Sequence, residues 1–158
     1  MSENLEHWSG GCQCGAVRFR TQTLGRPSIC HCRMCQKAFG GFYGPYVDAL
    51  DLAWTRGAPK YFQSSNLVRR GFCSNCGTQL SFEATGHPVN LAIGAFDHPQ
   101  AIVPALQVGE ESKLPYVNHL ADLPRRTPEQ ATKVAAFYAT MVSHQHPDQD
   151  TDIWPPQS

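Results

Sequence analysis

The sequence has no cysteine outside three short clusters, no apolar run long enough to span a bilayer, and no excess of either charge. Thirteen basic and thirteen acidic residues cancel. The chain therefore lacks the positive footprint that neutralises a phosphate backbone, and nucleic acid is not an expected partner. The first residues, MSENLEHWSGG, lack the basic segment and apolar run of a secretory leader, and nothing approaches the ~20 apolar residues of a membrane helix. A cytoplasmic protein with no membrane partner is the expectation. A reducing compartment keeps thiols free, and an odd count of seven cysteines would leave one unpaired, so disulfides are disfavoured. No internal repeat is evident, and 158 residues is the size of one domain.

What is present is a ligand pattern: Cys12-Gln13-Cys14, Cys30-His31-Cys32-Arg33-Met34-Cys35 and Cys73-Ser74-Asn75-Cys76. A closed structural zinc takes four ligands, whereas a zinc that does chemistry keeps one position open, so seven thiolates divide into four plus three. Cys12 and Cys14, at the end of a strand, combine with the Cys73/Cys76 knuckle into a closed structural site. Cys30, Cys32 and Cys35 lie close enough for one loop to hold a second zinc, with the fourth position left to water, substrate or another side chain. Three thiolates leave Zn²⁺ at a net charge of about minus one, a poor activator of water but suited to holding a substrate thiol as thiolate. Two alternatives stay open. A fourth ligand from His98 or His119, or less readily from His31, would make the second site structural; or the three cysteines would be redox-active without metal.

Period-two patterning with frequent turns predicts a mainly β fold of short antiparallel strands. Strands are expected at Ala16–Arg20, Phe42–Ala49, Leu67–Phe72, Gln79–Ala84 and Val89–Ala95, with Gly77 at positive φ where the chain turns beneath a metal. Thr127, Pro128 and Gln130 predict a capped C-terminal helix whose Val134, Phe137, Tyr138 and Met141 dock on the sheet. The expected organisation is an N-terminal extension over 1–9, a zinc domain over 10–143, and a mobile polar tail over 144–158 in which His144 and His146 are surface residues. Phe39, Phe42, Tyr43 and Tyr46 are read as core or as walls of a pocket. Arg33 and Lys37 are read as tentative contacts for a substrate carboxylate, with solvated surface charges as the alternative. Of Arg69 and Arg70, which alternation places on opposite faces, one is expected to hydrogen-bond the structural thiolates.

At Gly11–Gly15, Cys30–Lys37 and Phe72–Leu80, together with Gly40, Phe42 and Ile93–Asp97, the chain resembles the glutathione-dependent formaldehyde-activating enzyme family. The resemblance runs from about Gly10 to about Pro124. It implies an Mss4-like fold with two zincs, divided between the outer pairs and the middle triplet. It also implies a carbon-sulfur lyase activity joining glutathione and formaldehyde reversibly as S-hydroxymethylglutathione, with the thiol at the zinc of Cys30, Cys32 and Cys35. The pattern departs at Gln107-Val108-Gly109, where many relatives carry a His-Ile-Trp segment, and at Ala121–Pro124. The competing reading is a non-catalytic, zinc-stabilised binding module.

Overall fold

In the computed structural model, which describes residues 7–155, each cysteine cluster sits where a strand ends. The strands are β1 (Trp8–Gly11), β2 (Arg18–Thr21), β3 (Thr23–Leu24), β4 (Ser28–Cys30), β5 (Gly44–Leu50), β6 (Ala53–Arg56), β7 (Lys60–Gln63), β8 (Val68–Phe72), β9 (Gln79–Ala84), β10 (Val89–Ala92) and β11 (Leu106–Val108). One sheet runs β1-β2-β6; the larger runs β11-β4-β5-β10-β9-β8-β7, with β3 paired to β5. All pairings among them are antiparallel except β11 on β4. A short helix, α1 (Arg33–Phe39), follows the middle cluster, and α2 (Pro128–Ala139) lies near the C-terminus.

The core lies where inward positions of the two sheets meet. Phe19, Val47, Leu80 and Leu91 are fully buried, and the Phe19 ring meets Phe96 edge-on at 5.0 Å and Trp54 at 6.0 Å. Each such side chain contributes about 1.5–3 kcal/mol of transfer free energy. The mainly β class agrees with the periodicity. The strand expected at Gln79–Ala84 spans those residues, while the one expected at Val89–Ala95 ends at Ala92 and continues as a 3-10 turn over Ile93–Ala95. β1 begins at Trp8, inside the segment expected as an extension; most of that segment lies outside the described residues.

Two expectations about the C-terminal third are corrected. Helix α2 forms with its capping box: the Gln130 amide donates to Thr127 Oγ1 at 3.2 Å, and the Thr127 amide to Gln130 Oε1 at 3.0 Å. Its apolar face does not dock on the sheet, for Phe137 is 67% and Met141 63% exposed. A helical period shows which face is apolar, not whether the fold supplies a surface to cover it. Within the segment expected to be a mobile tail, residues 146–154 instead strap the first cysteine turn. His146 is buried, not a surface residue; its amide donates to Gln13 O at 2.7 Å, and Trp154 Nε1 donates to Cys14 O at 2.6 Å. Asp150 pairs with the buried Arg18 at 2.8 Å and with Arg20 at 2.6 Å, and Arg18 also makes a two-pronged pair with Asp97. Burial raises the Asp150 carboxyl, but its hydrogen bonds from Arg18 and Arg20 outweigh this and hold it below the usual range. Low hydrophobicity hid the strap because its anchors are ionic.

Candidate metal centres

The first centre is built from two turns. Between β1 and β2 the Gly15 amide closes on Cys12 O at 3.0 Å, with Gly15 at φ +78°, and the Val17 amide points at Cys12 Sγ from 3.2 Å. Between β8 and β9 the Gly77 amide closes on Cys73 O at 2.8 Å, with the expected positive φ, here +80°. The turns bring Cys12, Cys14, Cys73 and Cys76 together with all four sulfurs within 4.8 Å of one another. Sulfurs at the corners of a tetrahedron with Zn–S bonds of about 2.3 Å lie about 3.8 Å apart. Cys12 to Cys14 is 3.6 Å and Cys14 to Cys73 is 3.9 Å, so the donor set fits zinc.

Supporting hydrogen bonds complete it. Asn75 Nδ2 donates to Cys14 Sγ at 3.2 Å; Thr78 Oγ1 accepts from the Gln13 amide at 3.0 Å and lies 3.2 Å from Cys76 Sγ. Burial pushes the Cys76 thiol up, but the Thr78 hydroxyl and amide outweigh it and bring it to about 6. Burial takes Cys12 the other way, up to about 12. A metal ion binding here therefore has a proton to displace at Cys12, while Cys76 is already disposed to give its own up.

The second centre sits on α1, a helix the sequence reading did not anticipate. Cys32 is its N-cap, with Sγ accepting from the Cys35 amide at 3.4 Å, and Gly40 ends it in the left-handed region. Cys30 arrives from β4, and the sulfurs of Cys30, Cys32 and Cys35 lie within 4.8 Å of one another. Among the described residues no histidine, carboxylate or further cysteine completes that group. His98 and His119 are exposed, and His119 faces Asp122. His31 is buried, but its Nε2 engages Gln107 Oε1 at 2.9 Å.

The triplet is walled on one side and open-shouldered on the other. Cys35 is 2% exposed, and burial pushes its thiol up to about 12 against the pull of Arg70, whose guanidinium lies 3.5 Å from Cys35 Sγ. Gly44 stands where a Cβ would come within 3.0 Å of Cys35 Cβ and still closer to the Phe39 and Tyr46 rings. Above Cys30 and Cys32 passes the chain leaving β11. Gly109, at φ +65°, lies so near that a Cβ there would be 3.0 Å from the Cys32 amide and 3.6 Å from Cys30 Sγ. Gln36 fastens that chain down, Nε2 donating to His31 O at 2.7 Å and to Ser112 O at 3.0 Å.

Strand alternation separates this centre from a cavity on the opposite face of β4. Register pairs Cys30 with Gly44 and Val108, and Ile29 with Pro45 and Gln107. Cys30 thus faces α1, while Ile29, His31, Tyr43 and Gln107 face a cavity of about 500 Å³ whose charged wall is Lys113.

The arginines need correction. Arg70 reaches Cys35 of the triplet, not the four-cysteine centre, while Arg69 is exposed against Glu83 at 2.7 Å. Of the two cations expected to meet a substrate carboxylate, Arg33 donates to Gln36 Oε1 at 2.6 Å and Lys37 is exposed. Tyr46 is core, Phe39 is partly buried against it, Tyr43 faces the cavity behind the sheet, and Phe42 is 43% exposed. Arg70, Gln36 and Thr78 were not assigned these roles from sequence, because each role depends on a partner 35 or more positions away: Cys35 for Arg70, Ser112 for Gln36 and Gln13 for Thr78.

Among solved structures, a Rhodobacter sphaeroides protein matches with a TM-score of 0.51 and 20% identity, over 63% of this chain and 99% of that one; this similarity speaks to fold. No helix among the described residues is long and apolar enough to cross a membrane. The family model described as glutathione-dependent formaldehyde-activating enzyme matches residues 7–111, a span that takes in both cysteine centres and ends just past Gly109. By that match over most of its length, the chain belongs to the glutathione-dependent formaldehyde-activating enzyme family.

Proposed function

We propose that the protein is a zinc enzyme of the carbon-sulfur lyase type, acting on an adduct of glutathione or another small thiol such as S-hydroxymethylglutathione. Cys12, Cys14, Cys73 and Cys76 hold a structural zinc, and Cys30, Cys32 and Cys35 hold the zinc at which chemistry occurs. The observation that carries this reading is three converged sulfurs with no fourth ligand among the described residues, beneath a glycine. Zinc bound there supplies Lewis acidity that keeps a substrate thiol deprotonated near neutral pH.

In the addition direction the sulfur forms a bond to the formaldehyde carbon, the carbonyl π bond opens, and the thiol proton ends on the new hydroxyl oxygen. The reverse reaction breaks the same S–C bond and regenerates the carbonyl. Because the addition is intrinsically easy, the protein's task is mainly to bring sulfur and carbonyl together. Cys35 is buried on the inner side of the site, while Cys30 and Cys32 stay partly exposed beneath Gly109, whose missing side chain leaves the space over them.

The purified chain is expected to hold two zincs, and glutathione is expected to shift the visible spectrum of cobalt placed at the triplet. A second site that is saturated and unresponsive to thiols would sink the proposal and favour a zinc-stabilised binding module. Gly109→Val sharpens this. It puts a branched side chain over the sulfurs in a backbone region such residues avoid, and is expected to weaken thiol binding at least about tenfold with both metals retained, the scale of lost support at a metal site.

A further inference from the structure

Arg18 and Arg70 are almost equally buried, at 3% and 4% exposed. Arg18 has two carboxylate partners, Asp97 and Asp150. Arg70 has none among the described residues. Its guanidinium donates to Tyr46 Oη at 2.8 Å and Ser64 Oγ at 3.0 Å, lies 5.1 Å from the Phe82 ring, and points its remaining arm at Cys35 Sγ. A buried cation without an anion is strongly unfavourable, by several kcal/mol. The charge that answers Arg70 is therefore that of the triplet, and the fold has spent a buried guanidinium on this centre alone.

We propose that Arg70 is the positioning residue of the triplet centre, anchoring Cys35 on the inner side and offsetting negative charge so that the open position accepts an anionic thiolate in preference to a neutral ligand. This rests on the triplet holding a metal. Three thiolates and a divalent ion carry a net charge of about minus one, and a fourth thiolate takes it to about minus two. One adjacent cation with low-dielectric surroundings makes that last step far less repulsive. The uncharged Tyr46 and Ser64 hydroxyls hold the guanidinium without competing for its charge. Because Cys35 is closed in by Arg70, Phe39 and Tyr46, the fourth ligand approaches from the Cys30/Cys32 side below Gly109.

The test uses the full-length chain with cobalt at the triplet and zinc at the four-cysteine centre, titrated separately with 2-mercaptoethanol and with imidazole. Arg70→Met is expected to weaken thiol binding roughly tenfold or more while imidazole binding changes by much less, and Arg70→Lys to recover part of the thiol preference. A thiol-to-imidazole affinity ratio unchanged in Arg70→Met overturns the inference, as does a parallel loss of both. If Arg70→Met does not fold, Tyr46→Phe, which frees the guanidinium from one tether, is expected to lower the same ratio by a smaller factor. An unchanged ratio there also counts against it. A native chain that binds metal only at the four-cysteine centre would overturn the reading of the triplet itself, an outcome distinct from failure of the role given to Arg70.

Discussion

Cys73→Ser is expected to leave the chain largely unfolded. The four-cysteine centre joins the β1-β2 turn to the β8-β9 turn, and so ties the small sheet to the large one. Sites of this kind contribute roughly 10–16 kcal/mol of apparent metal-binding free energy at neutral pH. That matches or exceeds the ~5–15 kcal/mol net stability of a typical domain. The strap cannot substitute, because its anchors at Gln13 O, Cys14 O, Arg18 and Arg20 all lie on the small-sheet side and do not join it to the large sheet. Circular dichroism and thermal melting of the variant, and of the native chain with excess chelator, measure this. A cooperative melt within a few degrees of native would show that the centre does not hold the fold.

Cys32→Ser is expected to do the opposite: preserve the fold and abolish turnover. Serine is among the best N-cap residues, so the bond from the Cys35 amide that starts α1 survives the change. What disappears is one of three sulfurs, and with only two the site should lose its zinc. We expect one zinc per chain instead of two, a melting temperature shifted by only a few degrees, and more than about 100-fold loss of thiol-adduct turnover, beyond the 10–100-fold cost of losing a supporting partner. The contrast with Cys73→Ser separates an enzyme from a binding module, for in a purely structural role both variants would lose stability together. Full turnover with one zinc would place the chemistry elsewhere.

Local chemistry made part of this legible in the chain. Thiolates two or three positions apart announce chelation, Gly77 announces the turn beneath them, and Gln79–Ala84 alternates as a half-buried strand must. The division into four and three follows from counting ligands. What could not be read is what depends on distant pairings. Arg70 reaches Cys35 only because β8, four strands from β4, belongs to the same sheet, and Gly109 covers Cys32 only because β11 returns parallel to β4. Helix α1 escaped notice because its Arg-Met-Cys-Gln-Lys-Ala-Phe run is short and starts on a cysteine, whose capping role is not a common sequence signal. The strap was missed for a different reason. Asp150, His146 and Trp154 look solvated when read alone, and become anchors only when Arg18, Gly15 and Cys14 O are already in place.

The most direct test of the two-centre account is anomalous diffraction at the zinc edge from crystals grown with zinc and glutathione. Two peaks are predicted. One lies among Cys12, Cys14, Cys73 and Cys76, and the other among Cys30, Cys32 and Cys35 with a glutathione sulfur as fourth ligand at about 2.3 Å. A single peak at the four-cysteine centre, or a second peak closed by a protein side chain, would contradict it.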